Sequence, residues 1–505
     1  MEKLKLKYKD LGIDSQDKKI VYLKYNSNIR KKAGFDALKN VKISFGNKNI
    51  IATIHLIKNG IIDNLLGEDE IGLSTFAKKK LDVNDGGILK LEFAKMPLNS
   101  LTAIRSKMFG KRFTDKDISQ IIYDINEGLL SDIHLSAFIT ECAANKLDVY
   151  EIRALTKAMV EVGERLEWKN DIVIDKHCIG GIPGNRTTPI SISIVAAAGL
   201  TIPKTSSRAI TSPAGTADTL EVLTNVDLSL DDMTVVVEKE GACLSWGGSM
   251  KLSPADDILI KIERILNVDS NGQMIASVLS KKIAAGSTHV VIEIPVGTTA
   301  KITTMEEAEK LQSEFEFVGS TLGLKVKVII SDGRRPIGVG IGPALEARDI
   351  LKVLENKTDA PKDLKNKSIK LAAELFKLAE GLSDKEANEK AEKILKSGEA
   401  YQKFKAICLA QGAFKKIPIS NYTYEFKPER HGKLIGINNA KLSNLAKIAG
   451  APDNHVAGLE LLKNEGDIIM TGDVAIIIHS ANEKLLKLAI EFLFANRDML
   501  KIAEF

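Results

Sequence analysis

The chain has 505 residues, 44% hydrophobic and 27% charged, the proportions of an ordinary globular protein and not of a disordered one. Its 71 Lys and Arg against 66 Asp and Glu leave a net charge of +5, too small and too dispersed for a nucleic-acid-binding face. The longest nearly apolar run, from Ile190 to Ile202, is interrupted by Ser191, Ser193 and Thr201 and is too short to span a bilayer, so no membrane partner is expected.

The first residues, Met1-Glu2-Lys3-Leu4-Lys5-Leu6-Lys7, lack the apolar stretch of a secretory signal. Four scattered cysteines (Cys142, Cys178, Cys243, Cys408) form no C-x-x-C pair, and a reducing cytoplasm is the expected location. The seven histidines are equally dispersed, so neither a bound metal nor another cofactor is expected. Residues 1–95 read as a β-rich N-terminal domain. Val41–Phe45 alternates, Ile50–Leu56 resumes after the Asn47-Lys48-Asn49 turn, and Ile88–Phe93 follows Asp85-Gly86-Gly87. Met96-Pro97-Leu98-Asn99 marks a boundary.

Over 96–168 the period changes to that of helices. Thr114 with Asp117 resembles an N-cap, followed by the stripe Ile118, Ile121, Ile122, Ile125 and Leu129. Asp148 with Glu151 opens a second helix carrying Ile152, Leu155, Met159 and Val162. Residues 254–285 are helical again and are expected to return to this helical domain. Residues 169–253 and 286–420 alternate strand and helix: Asp171–Asp175, Leu200–Lys204, Val290–Pro295 and Val326–Ile330 read as strands. That order implies a mostly parallel central sheet covered by helices. Within 362–397, Leu371, Leu375, Leu378 and Leu382 are in helical register, and Ser383 with Glu386 caps the next helix. Residues 421–505 mix strand and helix as a C-terminal α+β part. The fold class is therefore a multidomain α/β protein with a β-rich N-terminal domain, a helical domain and a large α/β domain.

Three segments carry chemistry. The first, Lys176 to Thr188, combines glycines, a Lys, an Arg and hydroxyls at a helix start, which suits an anion; a structural turn accounts for it equally well. The second, Lys204 to Asp218, packs six hydroxyl side chains with a Lys and an Arg, more donors than a turn requires. The third, Asp269 to Lys282, sets Ser277 and Lys281 four apart on a helix; alone it reads as a solvated surface helix. All three are expected at the carboxyl ends of strands in one sheet.

Together these segments closely resemble the thymidine/pyrimidine-nucleoside phosphorylase family: Lys176-His177 with Gly180-Gly181, then Ser206, Arg208, Thr216, Asp218, Leu220 and Glu221, then Ala276, Ser277, Leu279, Lys281 and Lys282, in matching order from about residue 98 onward. The resemblance implies a pentosyltransferase in which inorganic phosphate displaces a base from C1′ of a ribosyl group. It assigns the phosphate to Lys176, Ser206 and Thr216. There are also departures from the family pattern. Its phosphate-binding hydroxyl is here Cys178, its pyrimidine-reading Arg falls on Ile262, and an aromatic residue after Val296-Gly297 is here Lys301. With Arg186 in a longer first loop, the string Ser207 to Ser212 and the extra N-terminal domain, the chain resembles the archaeal branch that acts on nucleoside 5′-monophosphates.

That branch converts AMP, and possibly CMP and UMP, with phosphate into free base and ribose 1,5-bisphosphate, a step of nucleotide degradation. Its nucleotide contacts carry over to Gly181, Ser207, Arg208, Ala209, Ile210, Thr211, Ser212, Thr216, Ser277 and Lys301. Asp269 becomes the proton donor, whereas read by itself Asp269-Ser270-Asn271-Gly272 is a cap or turn. The resemblance further implies a homodimer or larger homo-oligomer, with assembly as the hypothesis for the N-terminal domain. A pyrimidine-nucleoside or thymidine phosphorylase is the alternative, opposed by Ile262 and Lys301. A phosphoribosyltransferase would need a magnesium-binding acidic pair that is not evident, and a regulatory or assembly protein would not be expected to retain Lys176, Ser206, Thr216 and Ser277 together.

Overall fold

The computed structural model describes residues 4–15, 18–27, 40–58, 65–94, 97–209, 212–250, 252–268 and 270–504. Its packing divides the chain into two compact units, one of residues 1–147 and 254–270, the other of 148–253 and 271–505.

The smaller unit begins with strands β1 (Leu4–Asp10), β2 (Ile20–Lys24), β3 (Asn40–Phe45), β4 (Lys48–Ile57), β5 (Glu70–Leu73) and β6 (Ile88–Phe93). They close into a barrel in the order β1-β5-β2-β4-β3-β6. Alternation explains its core: along β1, Leu6 and Tyr8 point inward while Lys5 and Lys7 face solvent. Closure leaves no unpaired strand edge. Helices Leu98–Met108, Asp115–Glu127, Asp132–Ala144 and Pro254–Leu266 complete this unit and pack on one another. Thr114 caps its helix as the sequence indicates: its hydroxyl accepts the Asp117 N–H, and the Asp117 carboxylate accepts the Thr114 N–H.

The larger unit is built on a parallel sheet. Strands β7 (Ile174–Cys178), β8 (Ile202–Ser206), β9 (Ala242–Trp246), β10 (His289–Val296) and β11 (Lys325–Asp332) pair as β11-β10-β7 and β8-β9. A parallel bridge between Val173 and Thr201 joins the two groups. The expected strand at 171–175 starts later, at Ile174, which moves Lys176 from the following loop into the strand. Helix Thr187–Ala197 packs with helices Lys362–Glu380 and Glu399–Ala410, around a core that includes Ile190, Ile194, Leu375, Phe376 and Phe404.

Helix Asn271–Ala284 packs against helix Val149–Glu161 in this same unit. The segment 254–285 is thus two helices that pack in different units. Asn267, in the left-handed region at φ 51°, follows the first of them. The third chemistry-bearing segment consequently lies mostly within helix Asn271–Ala284, and the element before it is a helix and not a strand.

Strands β12 (Gly340–Ile341), β13 (Tyr422–Phe426), β14 (Gly432–Ile437), β15 (Gly458–Leu461), β16 (Ile468–Ile469), β17 (Ile476–Ser480) and β18 (Leu500–Glu504) form two antiparallel sheets, β12-β15-β17-β13 and β16-β14-β18, with helices Asn439–Ile448 and Glu483–Ala495. Among the described residues, no helix is long and apolar enough to cross a membrane.

Candidate active site

Because β7, β8 and β10 run parallel, the loops leaving them emerge at one edge of the sheet, where α/β proteins bind ligands. The loop after β7 turns at Gly180 and Gly181, at φ +92° and +91°. A Cβ on Gly181 would lie 2.7 Å from the backbone nitrogen of Lys301, so this glycine lets the loops after β7 and β10 touch. Gly215 serves the loop after β8 in the same way: a Cβ there would meet Ser207 O and Ala209 N at 2.5 and 2.6 Å.

Beneath these loops lie two ion clusters, on the two sides of β7. In register, Lys176 is level with Val291 and Cys178 with Glu293, so Lys176 and Glu293 share a face while Asp175 points the other way. On the first side, fully buried Lys176 donates to Thr187 Oγ1 at 2.8 Å and Thr188 Oγ1 at 3.3 Å, and lies 3.6 Å from Glu293. Glu293 also pairs with Lys367 at 2.5 Å and accepts from Ser331 at 2.8 Å. On the second side, buried Asp175 pairs with Lys282 at 2.7 Å and with Lys204 at 3.5 Å.

Four largely buried lysines thus face two buried carboxylates. Burial alone would raise the Glu293 carboxyl, but the charges of Lys176 and Lys367 and the Lys367 and Ser331 hydrogen bonds hold it down to about 2. Burial pushes the Lys204 ammonium down against the pull of Asp175, and Lys282 adds to the depression. His177 lies well below its ordinary value through burial and the surrounding positive charge of Lys282, Lys204, Lys176 and Lys281, so it is neutral at pH 7. Burial, reinforced by Glu293, pushes the Cys178 thiol up to about 11, so no thiolate repels an anion there. An arriving anion relieves the surplus of buried ammonium groups.

Buried hydroxyls also line this edge. Ser206 Oγ and Thr299 Oγ1 have no hydrogen-bond partner among the described residues. Thr216 Oγ1 accepts from Arg186 Nη1 at 2.9 Å, which leaves its proton to be donated elsewhere. Arg186 is in turn fixed by Glu346 at 2.6 Å and by the carbonyl of Ala214 at 2.9 Å.

The other residues singled out from sequence sit as follows. Arg208 forms a bidentate pair with Glu221 at 2.7 and 2.8 Å and lies over the Trp246 ring at 4.7 Å, so its guanidinium is engaged within the protein. The Ala209 N–H is held by Asp218 Oδ2 at 2.7 Å, the Ser207 carbonyl accepts from Ala217 at 3.3 Å, and the Ser212 hydroxyl closes a turn onto Ala214 at 2.9 Å. Ser277 is half-buried on helix Asn271–Ala284, the helix whose Lys282 reaches Asp175. Lys301 is exposed. Ile210, Thr211 and Asp269 lie outside the described residues.

Sequence reasoning missed Asp175, Glu293, Lys367 and Glu346. A carboxylate inside the apolar run Val290-Val291-Ile292-Glu293-Ile294 was a usable signal, since strands buried on both faces rarely carry an unpaired charge.

Comparison with known proteins gives this edge, lined by lysines and hydroxyls, its context. Residues 170–401 match the family model described as glycosyl transferase family, a/b domain, and residues 101–163 match its helical bundle domain. A relative from Hahella chejuensis with the provisional name thymidine phosphorylase is 43% identical, covering 100% of this chain and 99% of its own. One of the same name from Maricaulis maris is 45% identical over 100% of this chain and 96% of its own. Anthranilate phosphoribosyltransferase from Thermus thermophilus shares the fold at a TM-score of 0.53 and 18% identity, over 62% of this chain and 99% of that one. Fold and site thus define a glycosyltransferase of the pentosyltransferase class. Within that class, the chain belongs to the thymidine/pyrimidine-nucleoside phosphorylase family, whose reaction transfers the pentosyl group of a nucleoside-type substrate to phosphate as the base leaves.

Proposed function

We propose that this enzyme is an AMP phosphorylase, which cleaves nucleoside 5′-monophosphates with phosphate to give free base and ribose 1,5-bisphosphate. The observation that carries this reading is the close approach of Gly181 to the Lys301 backbone. It brings the backbone of a residue that carries a cation, where the resemblance leads one to expect an aromatic ring, against the glycine turn of the loop after β7. A nucleoside offers no charge for that cation, whereas a 5′-phosphate does.

In this reading Lys176, Ser206 and Thr216 hold the attacking phosphate. Gly181, Ser207, Ala209 through Ser212, Thr216, Ser277 and Lys301 hold the nucleotide, and the Arg208 guanidinium, paired with Glu221, anchors the loop after β8. A phosphate oxygen forms its bond to C1′ as the bond from C1′ to the base nitrogen breaks, and Asp269 gives the departing base a proton at N7. The bond-breaking state has oxocarbenium character at C1′, so the phosphate supplies both nucleophile and counter-charge.

The name borne by the relatives favours a second reading, thymidine phosphorolysis, which Ile262 and Lys301 oppose. Incubation with AMP and phosphate, followed by phosphorus NMR and base chromatography, tests the proposal. Adenine and a doubly phosphorylated ribose are expected; release of base from thymidine but not from AMP would overturn it.

A further inference from the structure

Asn185 sits in the loop between β7 and helix Thr187–Ala197 and is 9% exposed, yet its Oδ1 has no hydrogen-bond partner among the described residues. Its Nδ2 lies 3.6 Å from Cys178 Sγ, and that contact fixes which way the carboxamide points. Cys178 is the last residue of β7, half-buried at the edge where the loops emerge. It stands two residues beyond Lys176 on the same face of the strand. Thr187 and Thr188 reach that face too, through their hydroxyls on Lys176 Nζ. The helix they begin has no side-chain cap, so its first backbone N–H groups are left to other acceptors. A buried, unpaired carboxamide end, an ammonium and an uncapped helix N-terminus thus lie on one side of β7.

We infer that the Asn185 side-chain amide is a phosphate donor, held toward the anion by the Cys178 thiol. This rests on the reading above that places the attacking phosphate at Lys176. Burial and Glu293 push the Cys178 thiol up to about 11, so it carries its proton at pH 7. Sulfur accepts hydrogen bonds weakly, and a carboxamide exchanges its nitrogen and oxygen by a half turn. After that turn the S–H donates to Oδ1, which pairs the orphaned oxygen, and both N–H bonds of Nδ2 face the anion. Glu293, on the same face, is countered by Lys176 and Lys367. The amide therefore adds a donor for phosphate without disturbing that charge balance.

The test measures KM for phosphate and for AMP in variants of the whole chain. Asn185→Ala should raise KM for phosphate at least about tenfold with KM for AMP unchanged. Asn185→Asp keeps an acceptor for the thiol but sets a second carboxylate oxygen where the N–H groups were, so its KM for phosphate should rise further. Cys178→Ala should raise KM for phosphate less than Asn185→Ala, and combining the two should add nothing, because the thiol acts through the amide. An unchanged KM for phosphate in Asn185→Ala would overturn the inference, and so would equal rises for phosphate and AMP, which mark a residue that only shapes the loop. An Asn185→Asp enzyme no worse than Asn185→Ala would also overturn it, and additive effects would remove the part given to the thiol. Loss of the fold in Asn185→Ala would count against it equally, because the contact removed is a weak one to sulfur. If the enzyme uses nucleosides and not nucleotides, the proposed substrate class fails, but KM for phosphate measured with thymidine or uridine still decides the role of Asn185.

Discussion

The Glu293→Gln substitution tests the charge balance beneath the site. Glu293 is fully buried and is the carboxylate shared by Lys176, Lys367 and Ser331. Its carboxyl is held down to about 2 from an ordinary 4.5. A gap of about 2.5 pH units at about 1.36 kcal/mol each corresponds to about 3 kcal/mol of stability at neutral pH. Removing one partner of a buried pair costs about 3–5 kcal/mol by a separate route, because two lysines lose their counter-charge. Because the folded value is depressed, this stabilisation is complete above pH 4.5 and is lost as pH falls through about 2. Both tryptophans, Trp168 and Trp246, lie in the unit that contains Glu293, so urea unfolding followed by their fluorescence reports on that unit. The variant should be less stable by about 3 kcal/mol at pH 7, and the difference should shrink steadily below about pH 4.5. A loss under about 1 kcal/mol, or one that does not change with pH, would refute this account of Glu293.

Three further substitutions probe the loops. Lys176→Ala should raise KM for phosphate and lower kcat/KM by at least about tenfold, or about 1.4 kcal/mol; unchanged phosphate dependence would remove Lys176 from the nucleophile site. Gly180→Ala and Gly181→Ala share nearly the same positive φ, but only at Gly181 does the new Cβ meet the Lys301 backbone. Both therefore carry about 1–2 kcal/mol of strain, and only Gly181→Ala should also lose nucleotide turnover more than about tenfold. Equal activities would show that the contact between the loops is immaterial. Asp269→Asn should reduce kcat by about 10²–10⁴-fold with little change in KM for AMP, whereas a turn-forming residue would give a nearly fully active Asn variant.

The features legible in the sequence are those set by neighbouring residues. The caps at Thr114, Asp148 and Ser383 form as expected because the residues that satisfy each other lie three positions apart. Strands β3, β4, β6, β10 and β11 follow from alternation or apolar runs. The Leu-Lys alternation at residues 4–7, read first only as unlike a signal sequence, is half of β1. Closure of the barrel was not readable, because it depends on the parallel pairs β1–β5 and β2–β4 between distant segments. The site shows the same limit. The donors of the loops after β7 and β8 are visible as composition, but their partners Glu293, Lys367 and Glu346 lie far along the chain. The partners of Arg208 were equally unreadable: its guanidinium pairs with Glu221 and lies over the Trp246 ring.

The central claim is that the substrate carries a 5′-phosphate, and the most direct test compares kcat/KM for AMP and adenosine, and for UMP and uridine, at one saturating phosphate concentration. The account predicts that each nucleotide exceeds its nucleoside by at least about tenfold, a difference of about 1.4 kcal/mol supplied by contacts to the 5′-phosphate, and that Lys301→Ala narrows the ratio. Equal values for nucleotide and nucleoside, or a preference for thymidine or uridine, would contradict it.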